Sequence, residues 1–283
     1  MSMRTRIGRF LPFLRSAEEK FFDKTYDARI AEVTHLYGDE QKQQRMRGYF
    51  DRTPEEIDRE QKDNIRIFYD VMLGIARTFK PRTTMQLGCF TATELQWLRT
   101  HDIGGTLIAA DHSPDYLEFL EAGFAKTPFA GFQYRCFNLD KATAADFADV
   151  NMVTGMAVLS NIQPESLDQL FGAMASAGVQ VVIIGDMYVA ASLGSASSTA
   201  KSYPLAGSRN WAHPYRAVAR RHGYNVDFMP CFTYSSFKEA RGVWLLTRDI
   251  EETFRRDAFS FAIGHYFERQ QQMLDTYSSA NGG

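Results

Sequence analysis

From residue 81 to residue 248 the chain alternates short apolar runs with amphipathic stretches of helical period, and that alternation leaves few architectures open. Strand, helix, strand in this rhythm gives parallel neighbours, because a parallel return needs a crossover of about a dozen residues or more. Such units stack into one sheet with helices on its faces. The apolar runs predict strands at 83–87, 106–110, 132–137, 152–159, 179–186, 224–232 and 242–247. Helices are expected at 93–100, 114–125, 164–177 and 209–222. Only 234–241 separates the last two strands, too little for a parallel return, so they should pair antiparallel. The expected fold class is therefore α/β, a seven-stranded, mostly parallel sheet with an antiparallel last strand.

Both flanks of this region read as helix. Phe21, Phe22, Tyr26, Ile30, Val33 and Tyr37 recur mostly at three- and four-residue steps, which marks one buried helical stripe. Thr53, Pro54, Glu55 and Glu56 supply an N-cap, a first-turn proline and first-turn acids, so a second helix should run from Pro54 to Phe79. Residues 1–80 are expected to form a helical N-terminal cap, 81–249 the sheet domain, and 250–283 a C-terminal helix and tail. The stretch 194–207, rich in Ser, Ala and Gly, has no apolar period and is expected to be a loop. Cap and loop together suit a lid that excludes water from a ligand.

Charge excludes some partners. With 32 Lys and Arg against 34 Asp and Glu, the formal net charge of -2 gives no global basic field, and no nucleic-acid partner is expected. Arg4, Arg6, Arg9 and Arg15 are interleaved with Ile7, Phe10, Leu11, Phe13 and Leu14, which fits either a packed arm or weak contact with an anionic membrane. Apolar faces on the N-terminal helices would suit a homodimer. Cys89, Cys136 and Cys231 show no paired spacing, as expected of reduced thiols in a cytoplasmic protein. No Asp, Asn or His cluster has metal-ligand spacing, so no metal is expected.

In an open α/β sheet, ligands bind beyond the carboxyl ends of the strands. Gly88 stands at such an end, in Met85-Gln86-Leu87-Gly88-Cys89-Phe90-Thr91-Ala92, where a tight turn leads into a helix. Asp111 ends the second strand, about 20 residues further on, where an acid can accept hydrogen bonds from both hydroxyls of a ribose. The alternative for this acid is a helix cap, a role equally open to Ser113. A dinucleotide-binding dehydrogenase is the competing reading and fits less well, since Phe90 and Thr93 stand where the later glycines of its fingerprint belong.

Over 83–248 the arrangement resembles the class I S-adenosylmethionine (SAM) dependent methyltransferases, whose sheet is Rossmann-like. Their motif runs hydrophobic, acid, hydrophobic, Gly, small, Gly, any, Gly; here only Gly88 survives in full, Gln86 replaces the acid, and Phe90 and Ala92 replace glycines. The resemblance implies SAM as cofactor, with Gln86, Gly88, Cys89 and Phe90 at the turn, Asp111 on the ribose and His112 beside it. Asn138, Leu139 and Asp140 match the stretch that meets the adenine amine, and Ser160 and Asn161 the segment beside the methyl donor. The implied activity is methylation of a small-molecule acceptor, by preference a hydroxyl of a secondary metabolite or sugar, although an amine stays open. The other reading is an inactive methyltransferase-like binding or scaffold protein.

Removing a hydroxyl proton calls for a base. His213, after the Ser-rich stretch, and Asp186, at the end of the fifth strand, are the candidates. Tyr188, Tyr203, Trp211 and Tyr215 are candidates for the acceptor pocket.

Overall fold

The computed structural model describes residues 63–188, 201–204, 210–231 and 240–253, with parts of 47–57 and 255–268. The chain runs α1 (Asp63–Phe79), β1 (Thr83–Leu87), α2 (Thr93–Thr100), β2 (Thr106–Asp111), α3 (Pro114–Phe124), β3 (Gln133–Cys136), β4 (Met152–Met156) and α4 (Ser166–Ser176). It continues through β5 (Val181–Tyr188), β6 (Tyr203–Pro204), β7 (Trp211–Ala212), α5 (Tyr215–Arg221), β8 (Asn225–Cys231) and β9 (Ala240–Thr247).

Seven strands form one sheet in the order β3-β2-β1-β4-β5-β9-β8. Strands β1 to β5 pair parallel, and β9 enters antiparallel between β5 and β8. The order reverses between β1 and β4, so the ligand crevice of an open sheet belongs at their carboxyl ends.

Both faces of the sheet are covered, which is why its strands read as continuous apolar runs rather than alternating ones. Successive residues of a strand point to opposite faces. Leu107 and Ala109 of β2 enter one core with α1, α2 and α3, while Ile108 and Ala110 enter the other with α4 and α5. Helix α1 contributes Phe68, Val71, Met72 and Ile75, spaced to share one face and all buried. Each such side chain stabilises by about 1.5–3 kcal/mol on burial. This helix is thereby built into the core of the sheet itself.

Local signals account for several boundaries. Thr53 and Glu56 form a reciprocal cap, Thr53 N–H donating to Glu56 Oε2 at 2.8 Å and Glu56 N–H to Thr53 Oγ1 at 3.2 Å. Strand β4 stops at Met156 rather than at residue 159, because Ala157 turns to a φ of 55° and a 3-10 turn follows at Leu159–Asn161. Helix α5 starts at Tyr215, not at residue 209, because Trp211–Ala212 pairs with Tyr203–Pro204 in a two-stranded ribbon. Tyr203–Pro204, expected to be loop, is thus strand.

The described residues of 252–268 are helical. The basic-apolar start, the helix expected over 17–37, residues 194–200 and 205–207 of the expected loop, and the tail lie outside the described residues. Among the described residues, no helix is long and apolar enough to cross a membrane.

Candidate functional site

Beyond β1 the chain makes the turn 88–92, and its backbone is unusual. Gly88, Phe90 and Ala92 have φ of 53°, 42° and 51°, all in the left-handed region. These are the three positions at which the motif it resembles carries glycine. Phe90 and Ala92 hold that conformation with a Cβ, at about 1–2 kcal/mol each. Gly88 has no such latitude, since an added Cβ would lie 2.3 Å from Val158 Cγ2.

Hydrogen bonds explain how the strained turn persists. The Gln86 amide donates to the Cys89 carbonyl at 3.2 Å and accepts from the Leu95 N–H at 3.4 Å. The Tyr116 hydroxyl donates to the Phe90 carbonyl, and the Gln96 amide to the Thr91 carbonyl at 2.7 Å. Each of the three carbonyls from 89 to 91 therefore has a side-chain donor. A glutamate at position 86 could accept but not donate, so only the amide satisfies both ends.

The parallel register pairs Leu87 with Ala110, which brings the turn beside Asp111, and Cys89 N–H donates to the Ala110 carbonyl at 3.0 Å. Buried Asp111 accepts through Oδ1 from the His112 and Ser113 amides at 2.8 and 3.3 Å, and His112 Nδ1 lies 3.0 Å away. The N-cap of α3 is Ser113, whose Oγ accepts from the Tyr116 N–H at 3.3 Å. Among the described residues, Asp111 Oδ2 has no hydrogen-bond partner. Burial, with the nearby Asp111 carboxylate next, pushes the Cys89 thiol well above its ordinary pKa and keeps it protonated.

After β3, Asn138 caps a short 3-10 turn by accepting from the Asp140 N–H at 2.9 Å. Asp140 accepts from the Gln163 N–H at 2.8 Å, and Leu139 packs on the second core. This stretch is thus tied to the segment beyond β4.

That segment, 157–162, rests on a second polar group. Asp186 Oδ2 accepts from the Ser160 N–H and from the Tyr215 hydroxyl, both at 2.8 Å. Exposed Asn161 turns back, its amide donating to the Ala157 and Val158 carbonyls at 3.0 and 3.3 Å. His213 is buried behind the segment with Nδ1 2.7 Å from Ser202 Oγ. Its Nε2 has no hydrogen-bond partner among the described residues, and the Leu159 and Ile162 carbonyls lie close to the ring. Burial lowers its pKa from 6.5 to about 4, and those carbonyls offset the effect only in part.

A residue that sequence reasoning passed over stands between the two groups. Glu94, in the first turn of α2, accepts from the Thr154 hydroxyl and from the Met156 N–H, the latter at 3.0 Å. It is buried, and desolvation raises its pKa from 4.5 to about 7 against the pull of both hydrogen bonds. A first-turn acid is ordinarily an exposed partner of the helix dipole, so nothing local marks this one. Tyr116 and Gln96, the other supports of the turn, were equally silent.

No protein-family model matches the chain, and no curated protein matches it in sequence. Solved structures match it in shape. The methyltransferase domain of bacterial CtHen1 superposes with a TM-score of 0.50 at 14% identity, over 65% of this chain and 99% of that one. This chain has the class I SAM-dependent methyltransferase fold. The N-terminal domain of EvdMO1 with SAH bound follows at a TM-score of 0.48 and 12% identity, over 64% of this chain and 80% of that chain. Magnesium protoporphyrin IX methyltransferase from Synechocystis reaches 0.46 at 12% identity, over 66% and 83%.

On the methyltransferase fold the sequence-derived residues divide into groups. Gln86, Gly88, Cys89, Phe90, Asp111 and His112 gather at the carboxyl ends of β1 and β2. Ser160, Asp186, Tyr215 and His213 cluster around 157–162. Tyr215 packs on Trp244 at 4.9 Å and belongs to the core, and Tyr188, partly buried, packs edge-on against Phe228 at 5.1 Å and Trp244 at 6.2 Å. Trp211 is half-buried, whereas Tyr203 is 38% and Phe90 49% exposed. Among the described residues, no three His, Cys, Asp or Glu side chains converge as metal ligands.

Proposed function

We propose that the chain is a cytoplasmic, SAM-dependent methyltransferase that methylates a hydroxyl of a small molecule, a secondary metabolite or a sugar. One observation carries this reading: the turn 88–92 keeps left-handed backbone at 88, 90 and 92, next to a carboxylate whose Oδ2 has no partner among the described residues. The residues fit the cofactor. A Cβ at position 88 would clash with Val158, so the turn can lie this close to the segment beyond β4 only as glycine, and Asp111 Oδ2 is an acceptor suited to ribose hydroxyls. When bound, SAM would supply an electrophilic methyl on its sulfonium, with the thioether as leaving group and the proton of the acceptor hydroxyl released to solvent.

The rest of the task falls to alignment, which for an in-line displacement supplies much of the rate. In this reading Gln86 and Cys89 shape the turn, His112 flanks the adenosine, and Asn138, Leu139 and Asp140 edge the adenine. Ser160 and Asn161 stand beside the donor. Asp186 and His213 are assigned positioning roles, because the carboxylate already accepts two hydrogen bonds and a buried imidazole with a pKa of about 4 is a weak base. Phe90, Tyr203 and Trp211 wall the acceptor, while Tyr188 and Tyr215 hold that wall from behind.

Calorimetry with SAM and S-adenosylhomocysteine tests the proposal. Micromolar binding of at least one is expected, which corresponds to about -8 kcal/mol. Asp111→Ala should weaken it by about 1.5–3 kcal/mol, the worth of hydrogen bonds to a charged acceptor. Absence of binding to either ligand would remove the enzymatic reading, and an unchanged affinity in the variant would remove Asp111 from the ribose.

A further inference from the structure

At the opposite, amino-terminal end of the sheet, a cleft of about 550 Å³ opens between the carboxyl ends of α1 and α2. Arg77, Lys80 and Arg82 line one wall; His101 and Asp102 line the other. Among the described residues, none of the three cations forms an ion pair. Three positive charges against Asp102 leave a formal +2. Each helix carboxyl end brings about half a negative charge, so about +1 remains after both dipoles are answered. Basic residues serving the helix ends alone would leave no such surplus.

The walls are also held at a fixed separation. Gly105 adopts a φ of 92°, and a Cβ there would strike the Arg82 and Pro81 carbonyls at 2.6 and 2.8 Å. Thr106 N–H donates to the Arg82 carbonyl at 2.8 Å. Beside this seam, a Cβ at Gly104 would meet nothing within 4 Å, so backbone faces open space. A concavity formed in advance loses little entropy when a ligand enters.

We propose that this cleft binds a small phosphate-bearing metabolite, its oxyanion held by the Arg77 and Arg82 guanidinium groups and the Lys80 ammonium. Planar guanidinium forks match phosphate oxygens in pairs. The volume lies within the range of small-molecule sites, about 300–1000 Å³, and favours such a ligand over a polymer. The site stands apart from Gly88 and Asp111, with β1 and α2 spanning the distance between them, and it does not depend on the methyltransferase reading.

Titration of the full chain with inorganic pyrophosphate and ATP, followed by calorimetry at low ionic strength, tests this. One saturable site is expected, weakening with added salt because charges on an open wall are screened over about 10 Å at 0.1 M. An Arg77→Ser, Arg82→Ser variant should bind at least about tenfold more weakly, a change of about 1.4 kcal/mol, while its affinity for SAM stays that of the parent. Lys80→Gln, a single exposed change, should give a smaller loss and guards against misfolding of the double variant. No saturable binding, equal binding by both variants and the parent, or tighter binding of a single-stranded oligonucleotide would each overturn the proposal.

Discussion

The turn after β1 and the segment after β4 lie against each other, Val158 touching the space beside Gly88, yet they are held by opposite means. Neutral donors from Gln86, Gln96 and Tyr116 hold the turn. A carboxylate, Asp186, holds the segment through an amide and a phenol. The difference follows from what each must satisfy. Left-handed residues in the turn leave carbonyls needing donors, and Asp111 close by makes a further negative charge costly. In the segment the Asn161 amide meets the Ala157 and Val158 carbonyls, and the Ser160 N–H and the Tyr215 hydroxyl are left for Asp186 to accept.

The largest effect should come from closing the gap between the two regions. Gly88→Ala should cost about 2–5 kcal/mol, combining left-handed strain with overpacking against Val158. Adding Val158→Ala should return the overpacking share and leave the strain. Urea denaturation of the two variants and the parent checks this, and a Gly88→Ala protein as stable as the parent would break the picture of a tight seam.

The titrations of Glu94 and His213 sharpen the comparison next. Glu94 is protonated in both states below pH 4.5; from there to about 7 the unfolded chain releases a proton that the folded protein keeps. Stability on its account therefore falls as pH rises through that window. His213 is neutral in both states above 6.5; from there down to about 4 the unfolded chain takes up a proton that the folded protein refuses. Its contribution falls as pH falls, so the two slopes oppose each other between about 4.5 and 6.5. Glu94→Gln should leave stability rising with pH across this interval, and His213→Gln should leave it falling, each by up to about 3 kcal/mol at 1.36 kcal/mol per unit. Urea midpoints at pH 4.5, 5.5 and 6.5 read the slopes, and parallel profiles in both variants would refute the opposition.

Restoring the acid of the glycine motif should harm the protein. Gln86→Glu removes the donor to the Cys89 carbonyl and should cost about 1–3 kcal/mol, measurable as a lower thermal midpoint. A gain would show that the amide is not what supports the turn. The smallest change is expected at Phe90. Its replacement by Gly loses an exposed ring but relieves left-handed strain, so stability should stay within about 1 kcal/mol of the parent. A loss of about 3 kcal/mol or more, the cost typical of a buried phenylalanine, would mean the ring is packed after all.

Much of this edge is legible in the sequence. The positions of β1 and β2, the turn between β1 and α2, and Asp111 at a strand end all follow from short-range pattern. The ribbon of β6 and β7 did not, because strands two residues long have no period to read. In sequence Gln86 stands where the motif has an acid, and only the folded turn gives its amide a carbonyl to donate to at one end and an N–H to accept from at the other. The cap that the Asn138 side-chain oxygen forms on its own turn is set by a 3-10 turn that the sequence pattern does not announce.

By itself the sequence determined the succession of strands and helices, the antiparallel end of the sheet and the site of the tight turn, since these depend on residues within a few positions of one another. Tertiary structure alone decided which polar side chains became buried and what they hold. Glu94 meets Thr154 across 60 residues and Asp186 meets Tyr215 across 29. Desolvation and hydrogen bonding act through space, so the charge state of Glu94 or His213 is a property of the folded sheet and not of the chain around it.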